Sequence, residues 1–272
     1  MKPALEPAGA PVYEVRTRNT HASSENRMHS DDVAAAYGFK GALVPGVTVF
    51  SHMMQPLVAQ QGAAWLTRGS VDVTFLKPAY DGELLVIHCI RNADGTYALA
   101  CSNDGGVELA RMTAQLRVSP PAVDARAVLP PAPPREKQVV AWDLMEVGTA
   151  FPALAWTPTQ ADNLAWCADV RDELPIYREG AAPLLHPGFI LRQANLVLRN
   201  RFTLPAWIHT ASCIRFNSSA HAGDAFEVRA IPEEKWRKGG HEFVRLYVCL
   251  LRGEQVVIEI LHTAIFTPRK AA

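Results

Sequence analysis

The sequence predicts an α+β fold built twice. The first sign is a repeat: residues 42–49, Ala-Leu-Val-Pro45-Gly46-Val-Thr-Val, are answered by residues 184–191, Leu-Leu-His-Pro187-Gly188-Phe-Ile-Leu. The second is shared order, since each segment runs into helical spacing, a Trp (Trp65, Trp207) and strand-like alternation. The third is the stretch Ser119–Lys137, whose six prolines cannot join a ladder and stiffen the chain toward polyproline II. The expected organisation is an N-terminal domain over 1–118, a Pro-rich linker over 119–138 and a C-terminal domain over 139–272.

In the first copy, Val12-Tyr-Glu-Val-Arg-Thr-Arg18 alternates as a strand does, and a polar loop from Asn19 leads to His29. Ser30 is placed to cap a short helix with Asp31 and Asp32 in its first turn, and Gly38 closes it. Gly46 opens a longer helix that presents Val47, Phe50, Met53, Met54, Leu57 and Val58 at spacings of three and four. Pro56 lies inside it and is expected to kink it or loosen its last turn. Strands follow over 71–76 and 83–88, then a hairpin turning at Asn103–Gly106. The second copy repeats the order: a helix after Gly188, strands over 213–217 and 225–230, and a hairpin turning at Arg252–Glu254. The closing strands share a Thr-Ala pair, Thr113-Ala114 and Thr263-Ala264. One long apolar helix followed by an antiparallel meander is an α+β unit.

Composition excludes several functions. The 272 residues carry 27 basic and 27 acidic side chains, so there is no basic surplus to hold a nucleic acid. Apolar runs such as Phe243–Leu251 fall far short of a membrane span, and the N-terminal segment lacks the apolar stretch of a secretory signal. Five cysteines with no close pair argue against a disulfide framework and a zinc site, and point to a reducing cytoplasm. No metal and no cofactor is expected.

Asn26-x-x-His29, the Ser30-Asp31-Asp32 helix start, Ala35-Ala36-Tyr37-Gly38-Phe39 and Leu43-Val44-Pro45-Gly46-Val47 together resemble the MaoC-like hydratase/dehydratase pattern of the hotdog-fold superfamily. That pattern reads Asp-x-Asn-Pro-aliphatic-His, a short Ala-rich helix, Gly-Phe, and a loop ending in Gly before the central helix. In the second half, Asp172-Glu-Leu174-Pro-Ile-Tyr177 falls into the same pattern with Leu174 for the Asn and Tyr177 for the His. The resemblance implies a double hotdog, with an antiparallel sheet wrapped on a central helix in each half. One chain then forms a pseudo-dimer with one armed and one disarmed site, and further homo-oligomerisation is left open.

The resemblance further implies reversible water addition to a 2-enoyl thioester, or loss from a 3-hydroxyacyl thioester. Its carrier would be coenzyme A or acyl carrier protein. His29 and Asn26 match the catalytic pattern, and the backbone amides of Gly46 and Val47 match the oxyanion hole. The family's Asp position is Ser24 here, with Glu25 one place later as the other candidate base. Pro45, Phe50 and His52 are the candidates for lining the acyl site; core packing competes for Phe50, and a satisfied buried imidazole for His52. His186, His209 and His262 read as structural. The alternatives are a non-catalytic acyl-thioester-binding protein, or a thioesterase. The latter is disfavoured because neither Val47–Gln61 nor Phe189–Phe202 holds an Asp or Glu.

Overall fold

The computed structural model describes residues 12–20, 25–119 and 122–270. The first copy runs β1 (Val12–Arg16), a 3-10 turn (Arg27–His29), α1 (Asp31–Ala36), α2 (Gly46–Gln61), α3 (Trp65–Arg68), β2 (Gly69–Phe75), β3 (Leu84–Arg91), β4 (Tyr97–Asn103) and β5 (Glu108–Leu116). Beyond the linker come β6 (Gln138–Val139), β7 (Leu154–Trp156), α4 (Gln160–Asp169), a 3-10 turn (Pro175–Tyr177), α5 (Pro187–Arg201), β8 (Phe202–Thr203), β9 (Ile208–Phe216), β10 (Phe226–Lys238), β11 (His241–Arg252) and β12 (Gln255–Thr267).

Ten strands form one sheet in the order β1-β3-β4-β5-β2-β9-β12-β11-β10-β7. Each copy contributes the same arrangement, β1-β3-β4-β5-β2 and β7-β10-β11-β12-β9. The halves join where β2 pairs antiparallel with β9, from Ser70↔Arg215 to Thr74↔Ala211. Helix α2 packs on β3 and β9, α5 packs on β10 and β12, and the two helices pack on each other. This is the expected α+β architecture. Wedged between sheet and neighbouring helix, the first half of α2 has no wet face, and Val47 through Met54 is buried without a break. It continues through Pro56, which removes one donor from the helical ladder without ending it.

The helix starts correct one detail of the repeat. The N-caps of α2 and α5 are Pro45 and His186, and α5 begins at Pro187 rather than after Gly188. The flanking bonds agree, with Val44 N–H donating to Ala79 O and Leu185 N–H to Ala220 O. Structurally, Pro45 therefore answers His186, and the two Pro-Gly pairs stand one residue out of register. Proline at the first helical position is tolerated because that N–H has no helical acceptor. The glycines then serve different contacts. Gly46 meets Phe75 and His209, whereas Gly188 lies against α2 so closely that a Cβ would stand 1.8 Å from Ser51 Oγ and 3.1 Å from Val47 O.

Other elements depart from expectation for local reasons. Ser30 stands at the cap of α1, but its hydroxyl donates back to Arg27 O instead of capping the helix. Strand β10 passes Pro232, where a register shift absorbs the missing donor, and so runs well beyond residue 230. Helix α4, opened by a Thr159/Asp162 capping box, lacks a sequence counterpart in the first copy. The linker is seated on the outer face of the second half. Asp124 N–H, Tyr247 O–H and Asn217 Nδ2 all donate to the buried Glu259 carboxylate. Among the described residues no helix is long and apolar enough to cross a membrane.

The close α2–α5 contact yields a prediction. Gly188→Ala overpacks it and should destabilise the fold by about 1–3 kcal/mol in denaturant titration. Adding Ser51→Gly, which removes the nearest obstacle, should restore part of that loss; an unchanged single variant would contradict the packing described.

Candidate active site

The 3-10 turn Arg27–His29 and the loop before α2 are strapped together by Leu43. Its N–H donates to Met28 O at 3.0 Å, and its carbonyl accepts from His29 Nδ1 at 2.6 Å. A carbonyl can only accept, so Nδ1 carries the proton and Nε2 of the neutral ring presents its lone pair. Asn26 Nδ2 donates to that Nε2 at 3.2 Å.

Asn26 does more than orient the histidine. Its Oδ1 accepts from Met28 N–H at 3.2 Å and from Trp207 N–H at 3.3 Å, and its Nδ2 also donates to Trp207 O at 3.0 Å. The buried amide thus binds Trp207 as a strand would, and Trp207 belongs to the other copy. Its indole Nε1–H in turn donates to Asn195 Oδ1 on α5 at 3.0 Å.

His29, Asn26, Pro45, Gly46 and Val47 line one cavity of about 310 Å³, which the second copy completes with Arg192, Asn195, Leu196, Arg199, Trp207 and His209. The Gly46 and Val47 amides at the start of α2 have no intrahelical acceptor and lie in this wall, whereas Thr48 and Val49 N–H donate to Pro45 O. Among the described residues, the lining includes Lys77, Arg192 and Arg199 and no Asp or Glu. Arg192 is half-buried, with its guanidinium over the Trp166 ring, and burial lowers its pKa.

The remaining candidates are placed elsewhere. Glu25 is mostly exposed and forms an ion pair with Arg199 on α5, with Arg199 Nε donating to Oε2 at 3.1 Å. That hydrogen bond, with the guanidinium charge, lowers the Glu25 pKa. Ser24 lies outside the described residues. Among the described residues, no carboxylate is hydrogen-bonded to the His29 ring. Phe50 is fully buried in the core, and His52 bonds Thr17 Oγ1 through Nε2 at 3.2 Å; neither lines the cavity, because their helix positions face away from it.

The corresponding turn of the second copy is built differently. Leu174 and Tyr177 occupy the positions of Asn26 and His29 at its start and end. Tyr177 is fully buried, its ring 4.7 Å from that of His186. His186 Nε2 bonds Asp172 at 3.2 Å, and His186 Nδ1 accepts from Gly188 N–H at 3.0 Å, capping α5. Asp172, the carboxylate at the motif position in this copy, thus orients a helix cap.

Sequence reasoning missed Trp207 and His209 as site residues. Their sole sequence signal is the Trp shared by the two copies, because their roles arise only when the halves meet.

The architecture defines a double hotdog protein, and solved structures agree. A conserved Mycobacterium tuberculosis protein described as having a double hotdog fold superposes with a TM-score of 0.63, 14% identity, and coverage of 95% of this chain and 96% of that one. A structure described as a MaoC domain protein dehydratase from Chloroflexus aurantiacus gives 0.64 at 14% identity, covering 96% and 95%. The tesB protein of Mycobacterium avium subspecies paratuberculosis gives 0.55 at 14%, covering 97% and 96%. No family model and no curated protein matches the sequence.

Two predictions follow from this geometry. Asn26→Ala strands the buried backbone groups of Trp207 and should cost about 1–3 kcal/mol, seen as a lower denaturation midpoint. The second concerns acid. Burial depresses the pKa of His52 and of His262 to about 3, and drives that of His209 well below its ordinary value. Below the unfolded value near 6.5 the unfolded chain binds these protons and the folded one does not, so stability falls with decreasing pH until the folded values are reached. Each should remove about 1.4 kcal/mol per pH unit in that window. Urea titrations at pH 7 and pH 5 should show the loss, and equal midpoints would mean that these rings are not held neutral.

Proposed function

We propose that this protein adds water reversibly to a 2-enoyl thioester at one site per chain, built on His29 and closed by the second copy. The observation that supports this most is the shared cavity wall, where a histidine of fixed tautomer stands with the first turn of a long helix. A thioester oxygen at the α2 amides would be stabilised as negative charge develops on it. A water that opens the direct Asn26–His29 hydrogen bond and takes its place would accept from Nδ2 and donate to Nε2. His29 then takes that proton as hydroxide adds to C3, and returns it to C2 as the enolate collapses.

The apolar lining from Met28, Leu43, Val47 and Val49 suits an acyl chain, and Lys77, Arg192 and Arg199 suit an anionic carrier such as coenzyme A. MaoC-like dehydratases and thioesterases both occur among the similar folds. Neither α2 nor α5 carries an Asp or Glu to activate water for hydrolysis, which favours hydration. Glu25 acts as an ion-pair partner joining the copies.

The test is turnover of short and medium trans-2-enoyl-CoA thioesters, with thiol release followed in parallel. His29→Ala should lower kcat at least ~100-fold, within the range of a lost general base, whereas Glu25→Gln should stay within a few-fold of wild type. Thiol release without hydration would move the assignment to a thioesterase. Binding without either would make this an acyl-thioester-binding protein.

A further inference from the structure

A second imidazole stands at the same helix terminus, supplied by the other copy. His209 lies on β9, where pairing with β12 passes from Ala211↔Thr263 to His209↔Ala264 and leaves Thr210 unpaired. This bulge, with Thr210 Oγ1 donating to Thr263 O at 3.1 Å, turns His209 onto the inward face that Ser212 and Ile214 share. Without it, residues 209 and 212 would face opposite sides of the sheet. His209 Nε2 then bonds Ser212 Oγ at 2.8 Å, and Ser212 Oγ bonds His262 Nδ1 at 3.1 Å. All three residues are more than nine-tenths buried.

Several buried polar atoms have no partner among the described residues, and of those residues His209 is the one in the cavity wall. His209 Nδ1 is buried without a hydrogen-bond partner. It lies against the first turn of α2, 3.1 Å from where a Cβ on Gly46 would stand, and both residues line the cavity. A helix N-terminus with unpaired amides requires an acceptor, and a buried imidazole nitrogen without a partner can serve the same acceptor in the tautomer that places its proton there.

We infer that His209 is a catalytic residue that donates its Nδ1–H to the thioester oxygen beside the α2 amides, with Ser212 and His262 as positioning residues. This rests on the proposed reading of the cavity as an acyl-thioester site. The substrate oxygen bears no hydrogen, so it selects the tautomer with the proton on Nδ1. In that tautomer His262 Nδ1–H donates to Ser212 Oγ, and Ser212 O–H donates to the His209 Nε2 lone pair. Burial keeps His209 neutral. It therefore offers a dipole to the developing enolate and transfers no proton, a role distinct from that of His29.

The experiment compares wild type with His209→Leu, His209→Asn and Ser212→Ala. Asparagine places an N–H close to the position of Nδ1, whereas leucine fills the volume without a donor. With trans-2-enoyl-CoA, His209→Leu should lose about 100-fold or more in kcat with KM changed only a few-fold, the size expected for one missing oxyanion donor. His209→Asn should recover at least tenfold of that loss, and Ser212→Ala should fall between them. Wild-type turnover with His209→Leu within threefold of it, or with asparagine no better than leucine, overturns the assignment.

A second readout separates this inference from the hydratase reading. Isotope-edited infrared spectra of a bound, ¹³C-carbonyl-labelled saturated acyl-CoA should show the thioester stretch lowered in wild type and His209→Asn, and shifted back in His209→Leu. That pattern supports the His209 contact even where wild type adds no water. Identical spectra, or no binding of the probe to wild type, overturn it.

Discussion

The pairing of β2 with β9 is the contact on which the rest of the molecule depends. It runs antiparallel from Ser70↔Arg215 to Thr74↔Ala211 and turns two five-stranded arrangements into one continuous sheet. A hotdog sheet on its own would leave an edge of unpaired amides and one side of its helix uncovered. Joining the edges satisfies the amides and sets α2 beside α5. Their approach is close because Gly188 presents only hydrogen to Ser51 and the Val47 carbonyl. The cavity at the end of α2 follows from this junction, since Phe75 at the end of β2 and His209 on β9 pack ring to ring 4.7 Å apart beside Gly46.

Duplication gave the two halves one topology, and a few residues gave them different chemistry. In the first copy, Leu43 and Asn26 hold the His29 ring at a cavity wall. In the second, Tyr177 fills the equivalent position, and Asp172 and His186 are committed to each other and to the cap of α5. Asp172 and His186 of the second copy are thus absorbed into structure, and that half contributes to the cavity of the first through other residues. It does so through specific bonds, because Asn26 reads the backbone of Trp207 across 181 residues of sequence, and Arg199 meets Glu25 across 174.

Local signals were legible in the sequence where a short stretch decides the outcome. The apolar spacing from Val47 to Val58 marked the central helix, Asn103–Gly106 and Arg252–Glu254 marked hairpin turns, and Asn26-x-x-His29 before a helix start marked the turn that presents the imidazole. Legibility failed where packing sets the answer. The matched Pro-Gly pairs point to an alignment that is one residue out, because the helix caps at Pro45 and His186 and the flanking bonds to Ala79 and Ala220, not residue identity, set the equivalence. Placement on α2 after Gly46 makes Phe50 and His52 candidates for the site, yet the helix turns them toward the core and Thr17.

What the sequence by itself determined is therefore the repeat, the central apolar helix and the one turn that carries Asn26 and His29, all of them consequences of side chains a few residues apart. The tertiary structure alone decided which groups share the cavity. Trp207, Arg199 and His209 reach it through strand pairing, a single-residue bulge at Thr210 and the contact of two helices. These are long-range constraints, and no local pattern of residue types encodes where they bring the chain together.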